Sequence, residues 1–272
     1  MKPRSLWLIP GVLARTLVLV FFHIILFGLI YAGYHPYAIV LTLLTVGMWA
    51  CSVFWLGFPR GASVLHQIRD REEILLTFDD GPHPQYTPQL LDALQRHGVK
   101  AVFFLIGNHA KSHPQLVKRM VDEGHLLGNH TMTHPVASFW IAGPQRIFSE
   151  IQECEKILTS ITDQPSQLFR PPVGHFAFFL SPLLRSFGMV CCLWKRRAFD
   201  GVDCHVARNC ARLMNHVKAG DILVMHESNP NIVALVDEVL AGLQQRGLKS
   251  FSDLQHDQIV VKRSALVERA DL

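Results

Sequence analysis

The residues most able to do chemistry fall in a few short stretches, and the first is Thr77-Phe78-Asp79-Asp80-Gly81-Pro82. Glu73-Ile74-Leu75-Leu76 before it reads as a short buried strand. Gly81-Pro82 after it forces a turn. Neighbours in a regular strand point to opposite faces. At a turn that alternation breaks, and Asp79 and Asp80 can face one site. Two carboxylates brought together need a cation or a proton to compensate them. A metal held by one, with the other acting as a base, meets that need. Taken alone, the six residues fit a solvated Asp-Asp-Gly-Pro turn equally well.

The second stretch is Asn129-His130-Thr131-Met132-Thr133-His134. It places two imidazoles at i and i+4, which on a helix puts both on one face within reach of one ion. One carboxylate and two histidines make a familiar three-ligand catalytic set, with water completing the shell. A lone histidine pair at this spacing is more often structural. Paired with the Asp-Asp turn upstream, it predicts a metal site.

Three further stretches follow in order: Arg170-Pro171-Pro172-Val173-Gly174, then Trp194-Lys195-Arg196-Arg197-Ala198-Phe199-Asp200, then Asp221-Ile222-Leu223-Val224-Met225-His226. With these five motifs, roughly residues 74–255 resemble the polysaccharide deacetylases of carbohydrate esterase family 4, the NodB-homology domain. Three positions depart from the family pattern. Val173 stands where an aromatic is usual, Gly201 where a Trp follows the aspartate, and Val224 where Leu is favoured.

The resemblance implies a distorted, incomplete (β/α) barrel and a metal-dependent hydrolase that removes an acetyl or formyl group from an amino sugar. It assigns Asp80, His130 and His134 as ligands of a divalent metal, zinc first, with cobalt or nickel also suited to the donor set. Asp79 becomes the base that activates water, and His226 the acid that protonates the departing amine. Arg170 holds Asp79 ionised and oriented, and Asp200 pairs with His226. Pro172, Val173, Trp194 and Val224 line the substrate pocket, with a backbone N–H near Val173 facing the oxyanion. His83, His109, His113, His125 and His175 read as surface or loop groups, with His175 close enough to the third motif to line the site.

The elements that position these groups follow from pattern. Strands and helices alternate: a helix opened by Thr87-Pro88 and closed before Gly98, a continuous apolar strand over 101–106, and a helix from Pro114 to Gly124. A core-facing helix runs from Pro144 to about Ser160, with Ile147, Ile151, Cys154 and Leu158 on one side. Repeated strand–helix units predict a parallel sheet.

The 272 residues carry a net charge of +4 and a positive mean hydropathy, and the apolar excess lies at the N-terminus. From Thr16 to Pro59 there is no Asp, Glu, Lys or Arg, whereas one span needs only about 20 residues. A hinge at 31–37 with Gly, Pro and three tyrosines divides this stretch into a transmembrane helical hairpin of about 16–32 and 37–58. One long tilted span with an apolar extension is the alternative. The expected organisation is a membrane anchor over 1–58, a charged linker over 59–73, the catalytic domain over 74–255 and a loose tail over 256–272.

Lys2, Arg4 and Arg15 flank the first apolar segment, and Arg60, Arg69 and Arg71 follow the second. The positive-inside rule then predicts a multi-pass protein of the inner membrane with its domain in the cytoplasm. Five cysteines in the domain, without a framework spacing, fit a reduced compartment. Cys204 and Cys210 lack the second Cys or His pair of a zinc finger. No stacking-aromatic and basic pattern points to nucleic acid; the expected partners are membrane lipid and an amino-sugar glycan or glycolipid.

A cytoplasmic domain predicts a lipid-linked or glycolipid precursor at the inner leaflet as substrate. The alternatives are an outward-facing peptidoglycan or exopolysaccharide N-deacetylase, and a catalytically silent glycan-binding membrane subunit.

Overall fold

The computed structural model describes residues 10–54, 64–68 and 72–259. Lys2, Arg4, Arg60, Arg69 and Arg71 of the charge argument, and the tail beyond 259, lie outside the described residues.

The sheet is built from β1 (Val64–Leu65), β2 (Glu73–Gly81), β3 (Val102–Leu105), β4 (Leu126–Asn129), β5 (Leu168–Phe169), β6 (Val190–Cys192), β7 (Arg196–Arg197) and β8 (Ile222–His226). Its order is β1-β6-β5-β4-β3-β2-β8-β7, and every neighbouring pair is parallel. A short β9 (Lys249–Ser250) pairs with the start of β2. Parallel strands covered on both faces read as continuous apolar runs, which is how 74–76, 102–105 and 222–225 read. This is the distorted, incomplete (β/α) barrel expected from the motifs.

Strand periodicity sorts the core into layers. Ile74, Leu76, Phe78, Phe103, Leu105, Leu223 and Met225 pack outward against α3 (Tyr86–His97), α5 (Pro114–Asp122) and α9 (Ile232–Gln245). Leu75, Val102, Phe104, Leu168, Cys192 and Ile222 pack inward with Phe251 and Leu254. Continuing the inward series two residues at a time gives Thr77 and Asp79 on β2, Arg170 after β5, and Val224 and His226 on β8. The sequence period that buries the inner layer thus delivers polar groups to the C-terminal ends of the strands, where barrels of this kind build their sites.

α6 (Pro144–Thr162) buries Ile147, Ile151, Cys154 and Leu158, the face predicted from its period. Gly98, at φ 64°, closes α3 in the left-handed conformation that glycine adopts without strain. α4 (Gly107–Ser112), α7 (Leu180–Phe187) and α8 (Val206–Met214) complete the layer.

At the N-terminus stand two helices, α1 (Pro10–Tyr31) and α2 (His35–Phe54). α2 begins at His35 rather than 37 because Pro36 is accommodated in a first turn, where its missing N–H is not needed. By length and apolarity α1 qualifies as one membrane-crossing helix over Leu13–Tyr31; the described apolar part of α2, His35–Gly47, is shorter. α1 meets the domain at α7. The Arg15 guanidinium donates to the Phe178 carbonyl and lies 5.2 Å over the Phe178 ring, and Leu19 packs against the apolar cluster that holds Phe176 and Leu183.

The charged segment over 59–73, expected as a linker, contributes to the sheet. Val64–Leu65 pairs with β6, Gln67 bridges to Asp221, and Ile68 is buried. Past the expected domain boundary, α10 (His256–Ile259) buries Ile259.

Candidate active site

Asp79 and Asp80 reach one site through a β-bulge inside β2. The register with β3 shifts between Asp79 and Gly81, leaving Asp80 as the extra residue at φ 71°. Left-handed backbone is strained for any residue but glycine, and such strain gathers where a side chain must be re-aimed. Asp79 keeps the inward direction of β2, and the bulge swings Asp80 to the same side.

The two histidines arrive differently from the expected helix. β4 ends at Asn129, and 130–134 is an irregular turn with Thr131 at φ 70° and His134 at φ 52°. A helix is excluded because polar side chains claim the backbone donors. Asn129 Oδ1 accepts from Thr131 N at 3.0 Å, and Thr131 Oγ1 accepts from His134 N at 3.1 Å. Glu150, buried on α6, accepts from Thr133 N at 2.9 Å and from Thr133 Oγ1 at 2.6 Å. The turn brings the two imidazole centroids to 4.7 Å.

His130 Nδ1 lies 2.7 Å from the Arg170 carbonyl, which can only accept. Nδ1 therefore carries the proton and Nε2 the lone pair. That lone pair faces Asp80 Oδ1 at 3.5 Å, and His134 Nε2 faces the same oxygen at 3.3 Å. One donor atom each from Asp80, His130 and His134 lies within 4.8 Å of the others. Asp80 Oδ1 is buried without a hydrogen-bond partner. Burial raises the Asp80 pKa, but protonated imidazoles would outweigh it, His130 through a hydrogen bond that only its charged form can donate and His130, His134 and His226 through their charges, so the carboxyl is held well below the usual range. Burial and the His130 charge push His134 down to about 4. At neutral pH Asp80 is an anion and His134 is neutral, the states a metal ligand needs. An orphaned carboxylate oxygen between two imidazole nitrogens fits a divalent cation.

Two charged pairs flank this cluster. Arg170, fully buried, donates to Asp79 Oδ1 at 2.6 Å and to Thr77 Oγ1 at 2.8 Å. Its remaining donors take the Cys192 carbonyl at 2.8 Å and the Leu193 carbonyl at 3.0 Å. The guanidinium lies 4.0 Å over the Phe104 ring and 5.4 Å over Trp194. On the other flank, Asp200, also buried, accepts from His226 Nδ1 at 2.7 Å and from His226 N at 2.9 Å. Burial lowers the His226 pKa, but the Asp200 hydrogen bond and the Asp79, Asp200 and Asp80 charges raise it above the ordinary imidazole value.

The residues expected to line a substrate pocket lie in and beside the strands and turns that carry these pairs. Pro172 is buried and Val173 sits at φ 49° in a short 3₁₀ turn, Pro172–Gly174. Trp194 packs its ring edge against Gly174. Val224 is buried opposite Thr77 and Arg197. A Cβ on Gly201 would stand 3.5 Å from the His226 ring, so glycine there leaves that face of the imidazole uncovered.

Asn129, Glu150 and Glu227 are buried polar groups at the site; the motifs included Asn129 without giving it a role and did not reach Glu150 or Glu227. The available signal was an acidic residue at position 150, between the core positions 147, 151 and 154. His125, expected as a surface or loop group, is buried and accepts from Ala101 N at 3.2 Å, with its pKa lowered by burial to about 4. Among the described residues, Cys154, Cys191, Cys192, Cys204 and Cys210 are unpaired.

The family model described as polysaccharide deacetylase matches residues 66–191. A peptidoglycan-N-acetylglucosamine deacetylase of Bacillus cereus is 32% identical over 192 residues, covering 68% of this chain and 89% of its own. A chitooligosaccharide deacetylase of Sinorhizobium fredii is 34% identical over 162 residues, covering 58% of this chain and 73% of its own. The crystal structure of the Bc1960 peptidoglycan N-acetylglucosamine deacetylase, in complex with a substituted N-oxidanyl-benzamide, superposes with a TM-score of 0.66 at 26% identity, over 74% of this chain and 93% of that one. By fold, by motif order and by these relatives, the chain belongs to the polysaccharide deacetylase family, the metal-dependent carbohydrate deacetylases of carbohydrate esterase family 4.

Proposed function

We propose that this domain hydrolyses the N-acetyl amide of an amino sugar in a glycan outside the membrane, peptidoglycan or an exopolysaccharide, with α1 as its membrane anchor. One observation carries the chemistry. The Asp80–His130–His134 cluster lies between a carboxylate fixed by Arg170 and an imidazole fixed by Asp200. The names of the relatives, peptidoglycan and chitooligosaccharide deacetylases, support the substrate class.

Asp80, His130 and His134 would hold the divalent ion, with zinc favoured by the mixed nitrogen and oxygen donors and cobalt or nickel compatible. When bound there, the ion supplies Lewis-acid chemistry, polarising the acyl carbonyl and acidifying water. Asp79 takes a proton from the attacking water as its oxygen bonds to the carbonyl carbon. The Val173 N–H donates to the resulting oxyanion. His226 gives its proton to the amide nitrogen as the C–N bond breaks, releasing acetate and the free sugar amine. Pro172, Trp194 and Val224 shape the wall against which the acyl group sits.

In full-length protein, Asp80→Ala is expected to abolish stoichiometric metal by mass spectrometry. It should also lower acetate release from N-acetylated chito-oligosaccharides about 10³-fold or more, the scale of several kcal/mol of Lewis-acid stabilisation. Undiminished metal-dependent release would refute the ligand assignment. Stoichiometric metal in the wild type with no hydrolysis of any acylated glycan would instead favour the silent glycan-binding reading.

Asp200→Asn tests the acid. Because Asp200 raises the His226 pKa, His226 stays protonated to higher pH than an ordinary histidine, and kcat falls as pH rises through that raised value. Removing the charge should move this alkaline limb to lower pH. An unmoved limb would exclude His226 as the acid.

A second reading turns the domain inward, onto a lipid-linked or glycolipid precursor. The basic residues flanking the apolar segments and the five unpaired cysteines favour it. Fusing a periplasm-active and a cytoplasm-active reporter to the C-terminus decides between the two. An external C-terminus is expected; a cytoplasmic one would move the substrate to the inner leaflet.

A further inference from the structure

Directly after His226 stands Glu227, a carboxyl that the steps above leave unused, and it is fully buried. Its backbone N donates to the Asp79 carbonyl at 3.0 Å. Its Oε2 is hydrogen-bonded to Thr87 Oγ1 on α3, which also accepts from His83 N at 2.8 Å. Its Oε1 is buried with no hydrogen-bond partner. The carboxyl fills the space beside Gly81, where a Cβ would run into its Cδ and Oε1. Gly81 is not among the left-handed residues, so it is the room taken by Glu227, and not backbone conformation, that requires glycine here.

We propose that Glu227 is a positioning residue whose carboxyl acts as a wedge behind the Asp79-Asp80-Gly81 bulge, fixing the strained Asp80 backbone and so the aim of its carboxylate at the two histidines. The chain makes three contacts around the bulge from this one residue: the backbone bond to Asp79, the packing on Gly81 and the tie through Thr87 to α3. An Asp80 backbone in left-handed space needs such over-determination to persist. The environment agrees with a neutral wedge. Burial, opposed by the Thr87 hydrogen bond and reinforced by Asp80 and Asp79, pushes the Glu227 pKa up to about 8.

The inference rests on Asp80 being a metal ligand, as proposed above, and the experiment separates the two. Zinc affinity of the full-length chain in detergent is measured against a competing chelator, alongside kcat and KM on N-acetylated chito-oligosaccharides. Glu227→Gln, which keeps the shape without a titratable proton, should retain wild-type zinc affinity. Glu227→Ala should weaken zinc binding about 10–100-fold, the range for groups that orient a ligand, and lower kcat with KM little changed. Gly81→Ala should weaken it comparably in the wild type, yet cost nothing further in the Glu227→Ala background, where the methyl has room. If Glu227→Ala yields no folded protein, Thr87→Val, which removes the carboxyl's partner, carries the same expectation of weakened zinc. Wild-type zinc affinity in Glu227→Ala, or an equal Gly81→Ala loss in both backgrounds, overturns the wedge. Retained zinc binding in Asp80→Ala overturns the ligand assignment itself, whatever Glu227 does.

Discussion

Replacing His226 with alanine is expected to lower kcat on an N-acetylated amino sugar by about 10²–10⁴-fold, the usual worth of a positioned general acid. KM should change little, since the proton transfer is made in the transition state. Zinc content should be unaffected, because His226 lies outside the three-donor cluster. The diagnostic comparison is an aryl acetate ester, whose phenolate departs without a proton. On that substrate His226→Ala should lose less than about tenfold if protonating the amine is its task. Asp79→Asn should cripple both substrates, because each needs an activated water. Equal losses from His226→Ala on amide and ester would show that His226 serves binding or geometry rather than leaving-group protonation.

Much of this site was legible in the sequence, for a physical reason. Side chains with ionic chemistry are rare at the ends of apolar strands, so Asp79, Asp80, His130, Arg170 and His226 stand out against their flanks. The same period that places Leu75 and Ile222 in the inner layer places Asp79 and His226 there two steps later. Gly201 interrupts the fourth motif, yet Asp200 still meets His226, because the contact depends on the strand pair β7–β8 and not on the residue after the aspartate.

What the sequence hid depends on distant partners. The i, i+4 histidine spacing suits a helix, and nothing in that stretch reveals that Glu150, on α6, takes Thr133 N and Oγ1 and so holds the backbone in a turn. Glu227 follows a motif histidine, but its packing on Gly81 spans the whole domain. Val64–Leu65 is too short to show a period, so its pairing with β6 could not be read from a charged segment.

Arg170→Met is expected to be the most destabilising single change in the domain. Arg170 is fully buried, and Asp79 is only 4% exposed. Removing one partner of a buried pair leaves the other charge uncompensated, at a cost of about 3–5 kcal/mol. For a domain of this size that corresponds to a fall in the thermal midpoint on the order of 10 °C. The carbonyls of Cys192 and Leu193 lose their donors as well. Arg170→Lys should recover little, since one ammonium cannot span Asp79, Thr77 and two carbonyls as the planar fork does. Adding Asp79→Asn to Arg170→Met separates stability from catalysis. With the orphaned charge removed, much of the lost thermal stability should return while deacetylation stays absent, because the base is gone. If the double variant is no more stable than Arg170→Met, the cost lies in the lost packing against Phe104 and Trp194 and the carbonyl bonds. Arg170 would then be chiefly a structural pillar. If stability returns, the ion pair itself sets the cost, and the fold gives up stability in order to hold a buried carboxylate beside the proposed metal ligands.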